Sequence, residues 1–153
     1  MNYLRWLTIK KIFIANGPNL NFLGIRELKK YGSTTYSELI KTIERKASSL
    51  SLEIEFFQSN NEGEIVDYIQ MISQFNDVWL IFNPGAFTHT SVSIRDAISI
   101  FSQNNKLVEV HISDINERED FRKINLIKEF SKHSIIGQGV DGYLKALEYI
   151  DGE

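Results

Sequence analysis

The sequence has no cysteine in its 153 residues, which excludes disulfide staples, thiolate nucleophiles and cysteine-ligated metals and is compatible with a reducing compartment. It has no marked excess of one charge. Seventeen lysines and arginines stand against 20 aspartates and glutamates, a formal net charge of -3, and basic clusters such as Lys10-Lys11 and Lys29-Lys30 are short. Nucleic acid is therefore an unsuitable partner. No apolar run reaches membrane-spanning length, and Arg5, Lys10 and Lys11 interrupt the apolar residues near the start, where a secretory signal needs an unbroken stretch. These absences predict a soluble cytoplasmic protein with no membrane partner. A Walker-type glycine-lysine loop is absent, as is Gly-x-Gly-x-x-Gly after the first predicted strand, so nucleotide binding has no motif behind it. Residues 16–21 also lack the hydroxyl-rich pattern of a flavin phosphate loop. No repeat, low-complexity tract or linker divides the chain, and its length predicts a single domain over 1–153 with one core.

What is present centres on residues 78–96. Val78, Trp79, Leu80, Ile81 and Phe82 make the continuous apolar run of a strand buried on both faces of a parallel sheet. Asn83-Pro84-Gly85-Ala86-Phe87-Thr88-His89 follows, then a helical pattern at Ile94, Ala97, Ile98 and Phe101. The loop thus lies at the carboxyl end of a strand, where open α/β sheets bind ligands. Earlier in the chain, residues 11–16 predict the first strand, with 1–10 as an N-terminal extension. Residues 17–32 are too long for an ordinary strand-to-helix connection of ~2 to 6 residues, and such loops are usually lids or disordered. Thr35 with Glu38 predicts a capping box for a helix ending near Leu50. Residues 53–58 alternate charge and bulk like a sheet-edge strand, and Asn61 with Glu64 predicts a second cap before Ile65, Ile69 and Ile72. A fourth strand is predicted over 107–112, followed by a short helical segment holding Arg118 and Arg122 one turn apart, a fifth strand over 134–137 and a helix around Tyr143, Leu144, Leu147 and Ile150. The alternation predicts an α/β fold: a flavodoxin-like, doubly wound, five-stranded parallel sheet of order 2-1-3-4-5, with helices on both faces.

Of the three histidines, His89 and His111 fall at carboxyl ends of predicted strands, whereas His133 precedes the last strand and reads as structural. Glu109 interrupts an apolar strand, where a carboxylate is costly unless paired. Strand alternation puts it on the same face as His111, so it can hold the imidazole in one tautomer and favour its protonated form, making His111 a general acid. The competing reading is a strand-end ion pair. Tyr31 and Arg26 share the long loop; a tyrosine acts as a base near neutrality only where something stabilises phenolate, as a nearby guanidinium does. Without such support they belong to a solvated loop. No lysine lies at a carboxyl strand end, since Lys106 opens the fourth strand at the opposite end, which weakens a Schiff-base mechanism. Acid–base chemistry on a small polar molecule is the class that remains.

Five ordered blocks carry a resemblance: Asn16-Gly-Pro-Asn-Leu-Asn-Phe-Leu-Gly-Ile-Arg26-Glu with Tyr31-Gly32; Asn83-Pro-Gly-Ala-Phe-Thr-His89-Thr-Ser-Val-Ser-Ile-Arg-Asp96-Ala; Glu109-Val-His111-Ile-Ser113; Arg118 to Arg122; and Gly137-Gln-Gly-Val-Asp-Gly-Tyr143. Over nearly its whole length the chain resembles the type II 3-dehydroquinate dehydratases. The resemblance implies removal of water from 3-dehydroquinate to give 3-dehydroshikimate in the shikimate pathway, by anti elimination through an enolate, with no cofactor and no metal. It implies Tyr31 as the base at carbon 2, Arg26 stabilising its phenolate, His111 as the acid oriented by Glu109, and Asn19 holding the water that stabilises the enolate oxygen. Asn83, with the backbone of Ile112 and Ser113, would bind the substrate carboxylate, while His89 and Arg122 would contact ring hydroxyls. Asp96 is similar to an aspartate that reaches a neighbouring subunit's site, in a homo-oligomer of trimers assembled into a dodecamer. Phe87 and Asn125 depart from the usual pattern, in which tyrosine or leucine, and serine, are common. Two other readings stay open at this point: a metal-dependent lyase or hydrolase using His89, His111 and Glu109, and a non-catalytic flavodoxin-like ligand-binding module.

Overall fold

Ile12, Phe13, Ile14 and Ala15 offer no polar side to solvent, and the strand they form, β1 (Lys11–Asn16), lies inside the sheet. The structure is a computed structural model that describes residues 9–25 and 27–153; residues 1–8, most of the expected N-terminal extension, and Arg26 lie outside the described residues. β1 pairs with β2 (Glu53–Gln58) on one side and β3 (Trp79–Asn83) on the other. β4 (Lys106–His111) and β5 (Ser131–Ile136) follow, all parallel, in the order β2-β1-β3-β4-β5. This is the order predicted from the alternation. β2 is the expected edge, with Glu53 and Glu55 exposed.

The chain adds six α-helices among the described residues: α1 (Leu28–Tyr31), α2 (Tyr36–Ser49), α3 (Glu62–Ile72), α4 (Phe87–Thr90), α5 (Val92–Phe101) and α6 (Asp141–Gly152). Side chains alternate across a strand, so each central strand feeds two cores. Ile12, Ile14, Trp79, Ile81, Val108 and Val110 cluster with Leu39 and Ile43 of α2 and with Tyr143, Leu147 and Ile150 of α6. Phe13, Ala15, Leu80, Phe82 and Leu107 cluster with Ile65, Ile69 and Ile72 of α3 and Ile94, Ile98 and Phe101 of α5. Burying each of these larger side chains stabilises the fold by about 1.5–3 kcal/mol.

The capping box is present at α2: the Thr35 side chain accepts from the Glu38 N–H, and Glu38 accepts from the Thr35 N–H at 2.8 Å. At α3 only half of the expected device forms. Asn61 accepts from the N–H groups of Gly63 and Glu64, but the Glu64 side chain turns to the Ser59 hydroxyl. The helix expected after His89 stands as α5, capped by Ser91, which accepts from the Ile94 N–H at 2.9 Å, and the loop before it ends in the short helix α4 that carries His89. Two other expectations need correction. β5 starts at Ser131, not at 134, so His133 lies within it and stacks on Tyr149 with ring centroids 4.6 Å apart; an edge strand tolerates the polar Ser131-Lys132-His133, and the apolar pattern does not reveal them. Arg118 and Arg122 do not share a helix, since Arg118 separates two 3-10 turns, Ile115–Glu117 and Asp120–Lys123.

Candidate active site

The carboxyl ends of β1 and β3 are locked together before any chemistry is placed on them. Asn16 and Asn83 are register partners, and both carry amide side chains that burial leaves in need of partners. Tyr143 of α6, fully buried, supplies them: its hydroxyl donates to Asn16 Oδ1 at 2.5 Å and accepts from Asn83 Nδ2 at 3.0 Å. Asn83 Oδ1 accepts from the Gly85 N–H at 3.2 Å. The loops that follow are pressed together. A Cβ at Gly17 would stand 2.3 Å from the Pro84 carbonyl oxygen, which only glycine avoids, and Gly85 has φ +58° against Pro18. Asn19 sits just beyond with φ 67°, a conformation asparagine tolerates, and its N–H donates to Asn60 Oδ1 at 2.8 Å.

A cleft of about 260 Å³ opens over these ends. Asn19, Tyr31, Asn83, His89, His111, Ile112, Ser113, Arg118, Glu119 and Arg122 are among the residues lining it. Nine of the eleven expected site residues are thereby located at or directly behind one cavity, Glu109 standing behind His111. Arg26 lies outside the described residues, and Asp96 is exposed on α5, paired with Arg95 at 3.3 Å and absent from the cleft wall.

Glu109 is completely buried, and His111 almost so. His111 Nε2 lies 2.6 Å from Glu109 Oε1, the bond that strand alternation predicted. Asn125 Nδ2 donates to the same Oε1 at 2.6 Å, and Ser134 Oγ donates to Oε2 at 2.9 Å. Burial alone would raise the Glu109 carboxyl, but the bond and charge of His111, then the bonds from Asn125 and Ser134, outweigh it and hold the group below the usual carboxylate range. Glu109 is therefore ionised. His89, also buried, has Nδ1 2.6 Å from the Ile124 carbonyl oxygen. A carbonyl only accepts, so Nδ1 carries the proton and Nε2 is the nitrogen left for a ligand. Burial pushes His89 below the ordinary histidine range; the Ile124 bond opposes this, while the charges of Arg122, His111 and Arg118 add to it.

Across the lining, Arg118 Nη1 donates to the Tyr31 hydroxyl at 3.0 Å, placing a permanent positive charge against the oxygen of the expected base. Arg122 Nε donates to Glu119 at 2.8 Å. The lyase reading based on a metal finds no assembled ligand set: both oxygens of Glu109 already accept hydrogen bonds, and the described residues contain no group of three or more His, Asp or Glu arranged to hold an ion.

Sequence reasoning missed four contributors. Arg118 is legible in the sequence only as a neighbour of Arg122, with no role of its own, because its contact with Tyr31 joins positions 87 residues apart. Ser134 and Asn60 carry no local signal. Tyr143 did carry one, being the phenol on an apolar helical face whose burial demands a partner.

Comparisons with known proteins assign the family. Residues 10–151 match the family Dehydroquinase class II. A 3-dehydroquinate dehydratase of Endomicrobium trichonymphae is 49% identical over 140 residues, covering 91% of this chain and 95% of that protein. One from Caldicellulosiruptor bescii is also 49% identical over 140 residues, covering 91% and 94%. The crystal structure of a type II dehydroquinase from Butyrivibrio crossotus superposes with a TM-score of 0.89 at 44% identity, covering 94% of this chain and 98% of that one. An extended match of this kind, on a sheet of the same order and a cleft holding the expected acid, leaves one assignment: the chain belongs to the class II dehydroquinases.

Proposed function

We infer that this chain is a 3-dehydroquinate dehydratase of the shikimate pathway. The observation that carries the reading is the pairing of His111 with the buried carboxylate of Glu109 in the same cleft as Tyr31 and Arg118. Tyr31, as phenolate, takes the proton from carbon 2, with Arg118 and the expected Arg26 stabilising the charge on its oxygen. The electrons pass to the neighbouring ketone as an enolate, whose oxygen a water held by Asn19 stabilises. Collapse of the enolate forms the ring double bond as the hydroxyl leaves, and His111 supplies the proton that makes it water. Because Nε2 is held by Glu109, Nδ1 is the nitrogen that donates. The substrate carboxylate lies against the second N–H of the Asn83 amide and the peptide N–H groups of Ile112 and Ser113, which stand beyond the end of β4. His89 and Arg122 bind ring hydroxyls.

The same reading treats 1–153 as one catalytic domain with 17–32 as its lid, working in the cytoplasm. It also makes the active form a homo-oligomer of trimers grouped into a dodecamer, in which Asp96 reaches the cleft of a neighbour. Exposure of Asp96 on α5, away from its own cleft, supports this.

Chelator-treated protein mixed with 3-dehydroquinate should produce the ultraviolet absorbance of the conjugated product. Y31F should lower turnover by about 10²–10⁴-fold, the range for loss of a general base, with substrate affinity within about threefold. No absorbance rise from folded protein beside a working control enzyme would overturn the reading.

A further inference from the structure

Asn125, in the segment between β4 and β5, has a position that its sequence neighbours do not explain. Asn125 is half-buried, does not line the cleft, and uses both ends of its amide. Nδ2 donates to Glu109 Oε1 at 2.6 Å, the same distance at which His111 Nε2 meets that oxygen. Oδ1 accepts from the N–H groups of Ile127 at 3.2 Å and Lys128 at 3.1 Å and from the Thr88 hydroxyl at 3.2 Å. Its neighbours hold α4 from either side: the Leu126 N–H donates to the Thr88 carbonyl, and the Ile124 carbonyl accepts from His89.

We propose that Asn125 is a positioning residue for the dehydration, dividing the Oε1 lone pairs of Glu109 with His111 so that the carboxylate orients the imidazole without gripping its proton. This rests on the dehydratase reading above. A buried carboxylate bonded to one imidazole alone stabilises the charged ring strongly, which makes the ring a poorer acid. A second short donor on the same oxygen draws off part of that charge and fixes the carboxylate plane. The amide does this without a charge of its own, and its other end is anchored to three donors, so the carboxylate is aimed by a rigid part of the structure. The residue also ties the segment carrying His89 to the oxygen that orients His111, so the two histidines share one frame.

Other ionisable groups face the pair. His89 comes from α4; Arg118, Glu119 and Arg122 from the segment after β4; and Tyr31 from α1. From β5 the pair receives the neutral Ser134, while His133 stacks on Tyr149 of α6.

Two variants separate this role from anchoring of the segment alone. Asn125→Ala removes the donor and the anchor. N125D keeps the shape and the acceptor for Thr88, Ile127 and Lys128, and removes only the donor while adding charge beside Glu109. The proposal expects kcat to fall at least tenfold in both, further in N125D, with KM within about twofold, and the alkaline limb of the kcat–pH profile to move up by about one unit as the pair holds its proton more tightly. Circular dichroism and thermal melting report folding; should N125A not fold, N125D decides. Wild-type kcat and an unmoved pH profile in N125D would overturn the proposal and leave Asn125 as an anchor. Absence of dehydration by the wild-type protein would instead refute the functional reading itself.

Discussion

His89 and Glu109 are both buried, and by disfavouring charge in each, burial pushes their pKa values in opposite directions. It favours the neutral imidazole and opposes the carboxylate, which stays ionised only because three donors converge on it. Both groups end with a folded pKa below the unfolded value, so between the two values the unfolded chain binds more protons and stability rises with pH. Their contributions are complete above the unfolded pKa values, about 6.5 for histidine and 4.3 for glutamate, and disappear as pH falls through the folded ones. The melting temperature should therefore decline on acidification from pH 7.5, first through His89 and then, below about pH 4.5, through Glu109 as well. H89Q should flatten the first part of that decline. A wild-type melting temperature that stays constant from pH 7.5 to 5 would contradict the account.

At the scale of the element, the strands, their order and the long helices were legible because each depends on contacts close in sequence or on a repeating pattern. Thr35 is the clearest case, since its box with Glu38 was read from two letters and stands in the structure with both bonds made. Thr35→Ala should destabilise the protein by about 1 kcal/mol, the usual value of a capping hydroxyl, visible as a lower urea midpoint with an unchanged slope. Activity should hold, because Thr35 does not line the cleft. The segment between β4 and β5 was much less legible. Its 3-10 turns are too short for periodicity, and its shape is set by bonds to other elements, such as Asn125 to Glu109 and Arg118 to Tyr31. The site followed the same division. His111 and Glu109 are two residues apart on a strand and were readable, whereas Arg118 required the loop from the other end of the chain.

At the scale of the whole molecule, one chain brings Tyr31, His111 and Asn83, the base, acid and carboxylate-binding residue of the proposed function, to one cleft, while Asp96 lies exposed on α5. If Asp96 serves a neighbour's cleft, D96A and Y31F are complementary lesions. Unfolding the two inactive variants together and refolding them should restore roughly a quarter of the sites by random assortment in a cyclic assembly. Separate refolding should restore none. Failure to recover activity on mixing, with both variants assembled, would place the function of Asp96 within its own subunit.

The hydroxyl of Tyr143 adds a constraint of timing. Asn16 and Asn83 lie at the mouths of β1 and β3, yet the group that joins them belongs to α6, more than 120 residues after Asn16. During synthesis a nascent chain can pair its early strands, but the two amides keep no common partner until α6 has emerged and docked. The joined ends of β1 and β3 are thus among the last features to be completed, and a chain arrested before Tyr143 would be a sheet whose cleft edge lacks its tie.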